Sequence, residues 1–351
     1  MLFESMNWSE IKDNPRLRNN FETRIKIIKL IREFFWSQNF LEAETQIAAR
    51  LPGQEPYLNP IPVIFHELDG AETRMHLQTS PEFALKKLLA AGYEKIFQIC
   101  KSFRDYEQFG GNHNTEFTMI EWYRAPGTLE DIMDDTEKLF KYVAEKLGIS
   151  EVEHKNKKVN VTGEWERLSM REVWKKYVGV ELNDYLTSEK MAELVKGRGF
   201  MAQASEPFED LFFKIFLNEV ESKLGMEKPI MIYGYPEQMC SLSRLSKNDS
   251  RYAERFELYI GGLELANAFG ELTDAVEQKK RLEADKEKRA QLGKETWPVD
   301  PDFINAIKQI GDANFPSVGG TALGIDRMGM LFIGAKDINE VIFQAVGDQI
   351  E

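Results

Sequence analysis

The stretch Gly319-Gly320-Thr321-Ala322-Leu323-Gly324-Ile325-Asp326-Arg327 lies near the carboxyl end of the chain and joins glycines to an arginine. Glycines permit a ligand to approach the backbone closely. The apolar run that follows Arg327 indicates a buried helix. Arginine suits a triphosphate because its planar guanidinium grips phosphate oxygens and stays charged at any working pH. The stretch therefore predicts a phosphate contact at Arg327, just ahead of a buried helix.

A second stretch has the pattern of an antiparallel hairpin with a cation at its mouth. An alternating apolar run ends at Arg104, turn residues occupy positions 110–112, and a second run extends from Glu116 to Tyr123. An arginine at a strand end is usually a surface residue or part of a structural ion pair, so Arg104 alone decides nothing. Phe117 could lie flat on an adenine ring, although an aromatic residue in a strand more often packs in the core.

A third stretch predicts a tight hairpin that carries two carboxylates. With a two-residue turn at 261–262, Tyr259 faces Glu264 and Glu257 faces Ala266. The two glutamates then share one face, where they repel each other unless a cation lies between them. Hard oxygen ligands of this kind suit a magnesium ion that bridges nucleotide phosphates. The alternative is a surface hairpin with two solvated glutamates.

The second strand of this hairpin raises a question of register. Strict alternation would place Asn267, Phe269 and Glu271 on the face opposite the two carboxylates. A β-bulge inserts one extra residue and so changes the side to which the following residues point. A bulge near Ala266 is therefore required if these three residues are to join the same site.

Length and composition limit the class of protein. With 351 residues, 42% of them hydrophobic, the chain can bury one large core, or a main domain with an inserted subdomain. No apolar run is long enough to span a bilayer and the amino terminus lacks a signal-peptide core, so we expect a cytoplasmic protein. The net charge of −13 argues against a broad nucleic-acid footprint. The two cysteines, Cys100 and Cys240, are expected to be buried free thiols.

Apolar periodicity and capping residues predict several further elements. A helix is expected to start at Asp13-Asn14-Pro15 and to bury the stripe Phe21, Ile25, Ile28, Ile31 and Phe35. We also expect a strand over Phe40–Thr45, a short helix capped at Thr79–Glu82 and ended by Gly92, a helix from Thr128 to Gly148, and a solvated helix over Glu277–Gly293.

Taken together, the chain resembles the catalytic domain of class II aminoacyl-tRNA synthetases of the lysyl type. Arg24 to Thr45 is similar to the first motif of that class, Phe103 to Tyr123 to the second, and Gly320 to Arg327 to the third, in the expected order. The resemblance implies an α+β fold in which an antiparallel sheet is flanked by helices, usually as a homodimer. It also implies one catalytic domain over residues 1–351 that uses ATP and Mg²⁺.

Two features select a subfamily. Only about the first twenty residues precede the first motif, so we expect no anticodon-binding domain and no tRNA partner. Lysyl-tRNA synthetases usually have glycine where Ala322 stands, whereas elongation factor P lysine ligases have alanine. Residues Asp249–Arg255 and Glu264–Asp274 also resemble those ligases. This resemblance implies activation of lysine or (R)-β-lysine as an adenylate and its transfer to the ε-amino group of a lysine on elongation factor P.

The resemblance also assigns roles to individual residues. It implies that Arg104 and Arg327 are catalytic and that Glu257 and Glu264 bind magnesium. ATP binding falls to Arg104, Asp105, Glu107, Asn114, Phe117, Glu264, Leu265, Gly324 and Arg327. Amino-acid binding falls to Ser80, Pro81, Glu82, Glu121, Tyr123, Asn267, Phe269, Glu271 and Ala322.

Some alternatives stay open. The family usually places a glutamate two residues after the arginine of the second motif, whereas here Arg104 is followed by Asp105, Tyr106 and Glu107, so either carboxylate could meet the adenine. Glu82 could also be an ordinary first-turn carboxylate favoured by the helix dipole. At the level of function, the alternatives are a compact enzyme that charges tRNA and a non-catalytic paralogue that senses an amino acid.

Overall fold

A computed structural model describes residues 6–154, 157–313 and 315–349. The chain divides into two compact units, one formed by Met1–Thr128 with Leu272–Glu351 and the other by Leu129–Glu271. Within the described ranges, no helix combines the length and the apolar character needed to cross a membrane.

The elements follow one another from the first unit into the second and back. The first unit starts with α1 (Trp8–Asp13), α2 (Pro15–Ser37), β1 (Leu41–Glu42), β2 (Ala48–Ala49), β3 (Pro62–His66), β4 (Glu72–Leu77), α3 (Glu82–Ala90), β5 (Lys95–Phe103) and β6 (Glu116–Arg124). The second unit contains α4 (Leu129–Leu147), β7 (Glu151–His154), β8 (Lys157–Asn160), β9 (Glu166–Ser169), α5 (Met170–Val173), α6 (Ser188–Gly197), α7 (Phe208–Ile215), β10 (Ile230–Pro236), β11 (Tyr252–Ile260) and β12 (Leu263–Gly270). The chain returns to the first unit with α8 (Ala275–Gln291), α9 (Pro301–Asp312), β13 (Gly319–Gly324) and α10 (Ile325–Ile333).

The main strands of the first unit place a buried glutamate between two neighbours. Their order is β1-β5-β6-β13, with β1 parallel to β5 and the other pairs antiparallel. Glu121 at the centre of β6 pairs with Gln98 of β5 on one side and with Ala322 of β13 on the other. Directly paired residues point to the same face, so the Ala322 methyl group lies beside the Glu121 side chain.

The second unit has its own run of strands, β12-β11-β10-β9, in which only β9 and β10 are parallel. An aromatic core lies among its helices, where the rings of Trp174 and Phe212 stack at 4.3 Å and those of Phe212 and Phe216 at 5.7 Å. Each unit thus combines mainly antiparallel strands with helices. The predicted α+β fold with an antiparallel sheet is confirmed.

Helix α2 starts where the sequence predicts. Asn14 caps it by accepting hydrogen bonds from the backbone N–H groups of Arg16 and Leu17, and Pro15 occupies the first turn. The expected apolar stripe is partly wrong. Ile25 is 47% exposed, and the buried face contains Leu17, Ile27, Leu30, Ile31, Phe34 and Phe35. The prediction was partly wrong because the helix has more apolar residues than one face can hold, and their spacing alone does not identify the buried face.

The hairpin of β11 and β12 has the predicted turn. Gly261 and Gly262 have φ angles of 61° and 74°, which a two-residue turn of this kind requires. Tyr259 pairs with Glu264, as expected. The pairing beyond that point differs from the simple register.

A β-bulge changes the register of this hairpin. Leu258 pairs with Ala266 and Glu257 with Asn267, so Leu265 is an extra residue on β12. The expected pairing of Glu257 with Ala266 is therefore wrong, because the bulge shifts it by one residue. A bulge near Ala266 was the condition for these residues to share a site, and the structure contains one, which places both glutamates and Asn267 on one face.

The remaining predicted elements are confirmed in some cases and partly wrong in others. Helices α3 and α4 lie where they were expected. The strand predicted over Phe40–Thr45 is reduced to Leu41–Glu42. Helix α8 is confirmed, but it is not merely solvated, since Gln278, Leu282 and Arg289 are buried. Both cysteines are free, as expected, but they are half-buried rather than buried.

Candidate active site

Arg104 lies directly after β5 and covers an aromatic ring. Its backbone N–H donates a hydrogen bond to the carbonyl of Thr115 at 2.9 Å, which closes the mouth of the hairpin. Its guanidinium carbon lies 5.0 Å from the centre of the Phe117 ring, within the range of a cation–π interaction. The structure therefore brings together the arginine and the aromatic residue that the sequence assigned to one nucleotide.

A histidine joins the other predicted arginine to a carboxylate. Nδ1 of His113 lies 2.9 Å from Oε2 of Glu107, and Nε2 lies 3.4 Å from Nη2 of Arg327. A ring that donates from Nδ1 to Glu107 leaves Nε2 free to accept from Arg327. The hydrogen bond from His113 lowers the pKa of Glu107 against the opposing effect of burial, and the charges of Arg104 and Arg327 lower it further.

This arrangement bears on the choice between the two carboxylates after Arg104. Asp105 is exposed, and its backbone N–H donates to the carbonyl of Asn59 at 2.7 Å. Glu107 instead sits within the electrostatic reach of Arg104 and Arg327. The geometry favours Glu107 as the carboxylate that faces the nucleotide.

Two further predicted nucleotide residues belong to the same unit. Asn114 is buried, and its side chain donates to the carbonyl of Glu116 at 2.6 Å and accepts from the backbone N–H of Val346 at 3.3 Å. Gly324 ends β13 and is the N-cap of α10, three residues before Arg327. The first turn of that helix therefore carries the predicted phosphate contact.

The predicted amino-acid residues of the first unit centre on Glu121, which is 1% exposed. The Ser80 hydroxyl donates to one of its carboxylate oxygens at 2.5 Å, and the Tyr123 hydroxyl donates to the other at 2.8 Å. Burial and the nearby negative charge of Glu82 raise the pKa of Glu121 to about 8, although both hydrogen bonds oppose this rise. A carboxylate in this setting favours a cationic partner.

A cavity of about 390 Å³ is lined by Ser80, whose hydroxyl donates to this carboxylate. Pro81 and Glu82 also line it, together with Leu51, Pro52, Gly53 and Glu55. Glu82 pairs with the buried Lys86 one turn along α3, at 2.6 Å. Its charge is therefore partly neutralised within the protein.

The second unit places Glu257 in a dense hydrogen-bond cluster. Nη2 of Arg255 donates to one oxygen at 2.6 Å, while the hydroxyls of Tyr235 and Tyr259 donate to the other at 2.5 and 2.7 Å. Burial lowers the pKa of Arg255, but the charges of Glu257 and, more weakly, Glu264 raise it by more. Arg255 thus supplies the cation that two carboxylates on one face require.

Whether these carboxylates fit a magnesium ion depends on how many further ligands their oxygens can accept. Within residues 6–154, 157–313 and 315–349, no three His, Cys, Asp or Glu side chains are grouped so as to hold a metal. A nucleotide-bound Mg²⁺ needs only one or two protein carboxylates, because phosphates and water complete its coordination. Glu257 has accepted three hydrogen bonds of about four that a carboxylate can accept. The two glutamates fit a metal that arrives with the nucleotide.

The remaining predicted residues of the second unit lie around the same cluster. Asn267 accepts a hydrogen bond from Nε of Arg255 at 3.1 Å, and the Phe269 ring lies 5.9 Å from the same guanidinium. Leu265 is the buried bulge residue. Glu271 is buried just beyond the end of β12, at a bridge to Ser243.

Three residues of these clusters were not identified from the sequence. Arg255 alternates with Glu257 and Tyr259 along the strand, which was the available signal for a shared face. His113 directly follows the turn residues at positions 110–112, and its position in a loop gives no sign of a role. Glu55 lines the cavity, but nothing in its local sequence distinguishes it from a surface glutamate. Its identification required the fold.

Comparisons with known proteins agree with this geometry. The family described as tRNA synthetases class II (D, K and N) matches residues 5–345. A protein of Haemophilus influenzae named elongation factor P–(R)-β-lysine ligase is 36% identical over 330 residues, which are 93% of this chain and 95% of that protein. A protein of the same name from Avibacterium paragallinarum is 36% identical over 321 residues, which are 91% of this chain and 93% of that protein.

A second group of relatives carries another name. A protein of Listeria welshimeri named lysine–tRNA ligase is 34% identical over 330 residues, which are 94% of this chain and 64% of that protein. The family match and these identities extend over nearly the whole chain. The chain therefore belongs to the class II tRNA synthetase family and is an ATP-dependent ligase.

Proposed function

We propose that this enzyme activates lysine or (R)-β-lysine with ATP and transfers it to the ε-amino group of a lysine on elongation factor P. The names of the relatives from Haemophilus influenzae and Avibacterium paragallinarum support the acceptor and the donor. The observation that carries the proposal is Glu121, a buried carboxylate held by Ser80 and Tyr123 beside Ala322. Such a pocket selects an amino acid with a cationic side chain.

The first step joins the amino acid to the nucleotide. A carboxylate oxygen of the amino acid attacks the α-phosphorus of ATP, pyrophosphate leaves with the bridging oxygen, and an aminoacyl adenylate forms. Arg104 and Arg327 bind the phosphates and offset the negative charge of the transition state. Phe117 supports the adenine ring, and Glu107 accepts a hydrogen bond from the exocyclic amine of adenine.

The second step needs no protein nucleophile. The neutral ε-amino group of the acceptor lysine attacks the acyl carbon of the adenylate, AMP leaves, and the amine loses a proton as the amide forms. Tyr123 and Ser80 hold Glu121 in one orientation through both steps. The amino-acid side chain therefore stays fixed while the acyl group moves.

Glu257 and Glu264 would hold Mg²⁺ that accompanies the nucleotide, with Arg255 beside them as a second positive charge. Magnesium, when bound, neutralises phosphate charge and fixes the geometry of the leaving group. The same resemblance to class II synthetases supports a homodimeric, cytoplasmic enzyme. These assignments rest on the chemistry of the side chains together with the resemblance.

Intact mass spectrometry of acceptors tests the proposal. The enzyme is incubated with ATP, Mg²⁺ and either α-lysine or (R)-β-lysine, in the presence of elongation factor P or of tRNA. We expect a mass increase of one aminoacyl residue on elongation factor P, which disappears without ATP and when the acceptor lysine is replaced by arginine. Charged tRNA together with unmodified elongation factor P would overturn the proposal in favour of the tRNA-charging alternative, which relatives such as that of Listeria welshimeri represent.

A further inference from the structure

The last turn of helix α8 contains an arginine whose side chain is buried. Arg289 is 2% exposed, although most of its helix is charged and accessible. Its Nη1 donates to the backbone carbonyls of Glu55 and Leu58, both at 2.7 Å, and its Nε donates to the carbonyl of Glu295 at 3.0 Å. A buried guanidinium whose N–H groups donate to backbone carbonyls holds the chain segments to which those carbonyls belong in place.

A second group holds the same segment from its other end. The indole N–H of Trp297 donates to the carbonyl of Pro52 at 2.8 Å, and Nε2 of Gln54 donates to the carbonyl of Trp297 at 3.1 Å. The guanidinium carbon of Arg289 lies 4.4 Å from the centre of the Trp297 ring. The two side chains therefore form one clamp, which we call the Arg289–Trp297 clamp, on residues 52–58.

Three residues of the clamped segment, Pro52, Gly53 and Glu55, form one wall of the cavity that Ser80 and Glu82 also line. Glu55 belongs to this wall, and its carboxylate folds back over Gly53, where any Cβ would overlap it. Burial raises the pKa of Glu55, the charge of Glu82 adds to the rise, and the charges of Arg104 and Arg289 oppose it. Glu55 thus lies within electrostatic reach of both the amino-acid residues and the phosphate-binding arginine.

We propose that Arg289 is a positioning residue for amino-acid binding: through the Arg289–Trp297 clamp it fixes residues 52–58 so that the Glu55 carboxylate faces the cavity that receives the amino acid. This inference rests on the proposed function, because it takes the cavity lined by Ser80 and Glu82 as the amino-acid pocket. An amino acid with two ammonium groups requires two anionic contacts. Glu121, held by Ser80, supplies one, and Glu55, on the clamped wall of the cavity, supplies the other.

The clamp acts on amino-acid affinity and not on chemistry. None of the hydrogen bonds described for Arg289 reaches a nucleotide residue of the second or third motif, since they go to the carbonyls of Glu55, Leu58 and Glu295. Loss of the clamp would free the wall and turn Glu55 away from the ammonium group. The KM for the amino acid should then rise while the KM for ATP stays constant.

Steady-state ATP/pyrophosphate exchange tests this separation in the full-length enzyme. For Arg289→Met we expect the KM of the preferred lysine isomer to rise by about tenfold or more, with the KM for ATP changed by less than about twofold. Glu55→Gln should reproduce that change without touching the clamp. Arg289→Lys, which keeps the charge but fewer donors, should fall between wild type and Arg289→Met. The control Lys280→Met removes a charge from an exposed site on the same helix and should leave both KM values unchanged.

Two results would overturn the inference. One is an unchanged amino-acid KM in both Arg289→Lys and Glu55→Gln. The other is a parallel loss of folded protein and of kcat in Arg289→Met with both KM values at the wild-type level, which describes a purely structural residue. Absence of exchange by the wild-type enzyme with either lysine isomer would instead refute the proposed function, so the two failures are distinguishable.

Discussion

Arg24 of α2 reaches Asp326 of α10 with two donors, Nε at 3.0 Å and Nη2 at 2.8 Å from the same carboxylate oxygen. The other oxygen of Asp326 accepts from the backbone N–H of Thr118 at 2.6 Å, and Nη2 of Arg24 also donates to the Thr118 hydroxyl at 2.8 Å. These three residues come from the three sequence motifs. Because Arg327 follows Asp326 directly, the contact fixes the helix turn that carries the predicted phosphate contact.

Replacement of Asp326 by asparagine should therefore weaken both stability and activation. Removal of one partner of a buried ion pair leaves the other charge uncompensated, at a cost of about 3–5 kcal/mol in the free energy of unfolding. Urea denaturation measures this cost. The matched control is Glu22→Gln, which breaks the exposed pair with Arg18 and should cost less than about 1 kcal/mol. Equal costs for the two variants would show that the Arg24–Asp326 pair does not organise the motifs.

Arg104 and Arg327 should each contribute strongly to activation. Alanine at either position should lower kcat/KM in ATP/pyrophosphate exchange by about 10² or more, because a charge-assisted contact to phosphate in the transition state is worth several kcal/mol. Arg18→Ala, on the surface of α2, serves as the control. A loss of only about twofold in Arg104→Ala would assign that residue to the cation–π contact with Phe117 and not to the nucleotide.

Replacement of Glu264 should change only the dependence of exchange on Mg²⁺, whereas replacement of Glu257 should also lower the stability of the fold. Glu264→Gln should abolish exchange or raise the Mg²⁺ concentration required for half-maximal exchange, without unfolding the protein. Glu257→Gln should do the same and also lower the thermal midpoint, since Arg255, Tyr235 and Tyr259 all donate to that carboxylate. Exchange at wild-type rate and wild-type Mg²⁺ dependence in both variants would remove the two glutamates from the metal.

Local patterns were sufficient for part of this site. The turn at Gly261-Gly262 follows from the alternation on either side of it and from the left-handed backbone that glycine allows. The buried helix after Arg327 follows from its apolar run. These features depend on residues a few positions apart, so the sequence contains the required information.

Long-range contacts were beyond such patterns. Arg289 lies in a charged helix whose sequence is typical of a solvated one, and two of its three carbonyl partners lie about 230 positions away in the chain. Backbone carbonyls carry no sequence signature. Glu55 was missed for the same reason, since its role depends on the wall to which it belongs. The pairing of Glu257 with Asn267 was missed by one residue because the position of a bulge depends on both strands.

The raised pKa of Glu121 predicts how lysine binding varies with pH. An ammonium ligand requires the ionised carboxylate, so below a pKa of about 8 binding must release a proton. The Kd for lysine should fall about tenfold per pH unit as the pH rises toward 8, and should level off above it. Calorimetry from pH 6.5 to 9 measures this trend, with the Kd for ATP as the internal control. A Kd for lysine that is constant below pH 8 would contradict the assignment.

The same shift has a consequence for stability. Because the pKa of Glu121 in the folded protein lies above its ordinary value of 4.5, the folded state holds the proton between that value and about 8. This contribution is complete below pH 4.5 and is lost as the pH rises through 8. Denaturation of Glu121→Gln at pH 6 and pH 8.5 should therefore show a smaller loss of stability with rising pH than wild type.

Ala322 should set the preference between lysine isomers. Its methyl group lies beside Glu121, because the two residues are direct partners in neighbouring strands. A methyl group at this point removes volume near the α-carbon of the substrate and favours an amino group displaced from it. Ala322→Gly should therefore shift the ratio of kcat/KM values toward α-lysine by about 1–3 kcal/mol, the range expected when a pocket changes by one carbon.

The competing explanation for Ala322 is a neutral small residue in a packed strand. On that view glycine would cost only backbone stability, about 0.5–1 kcal/mol, and would lower activity with both isomers equally. The ratio of kcat/KM values for α-lysine and (R)-β-lysine separates the two explanations, because a loss of folded enzyme cancels in the ratio. A ratio that stays at its wild-type value in Ala322→Gly would leave isomer choice to other residues of the pocket, with Glu55 the first to be tested.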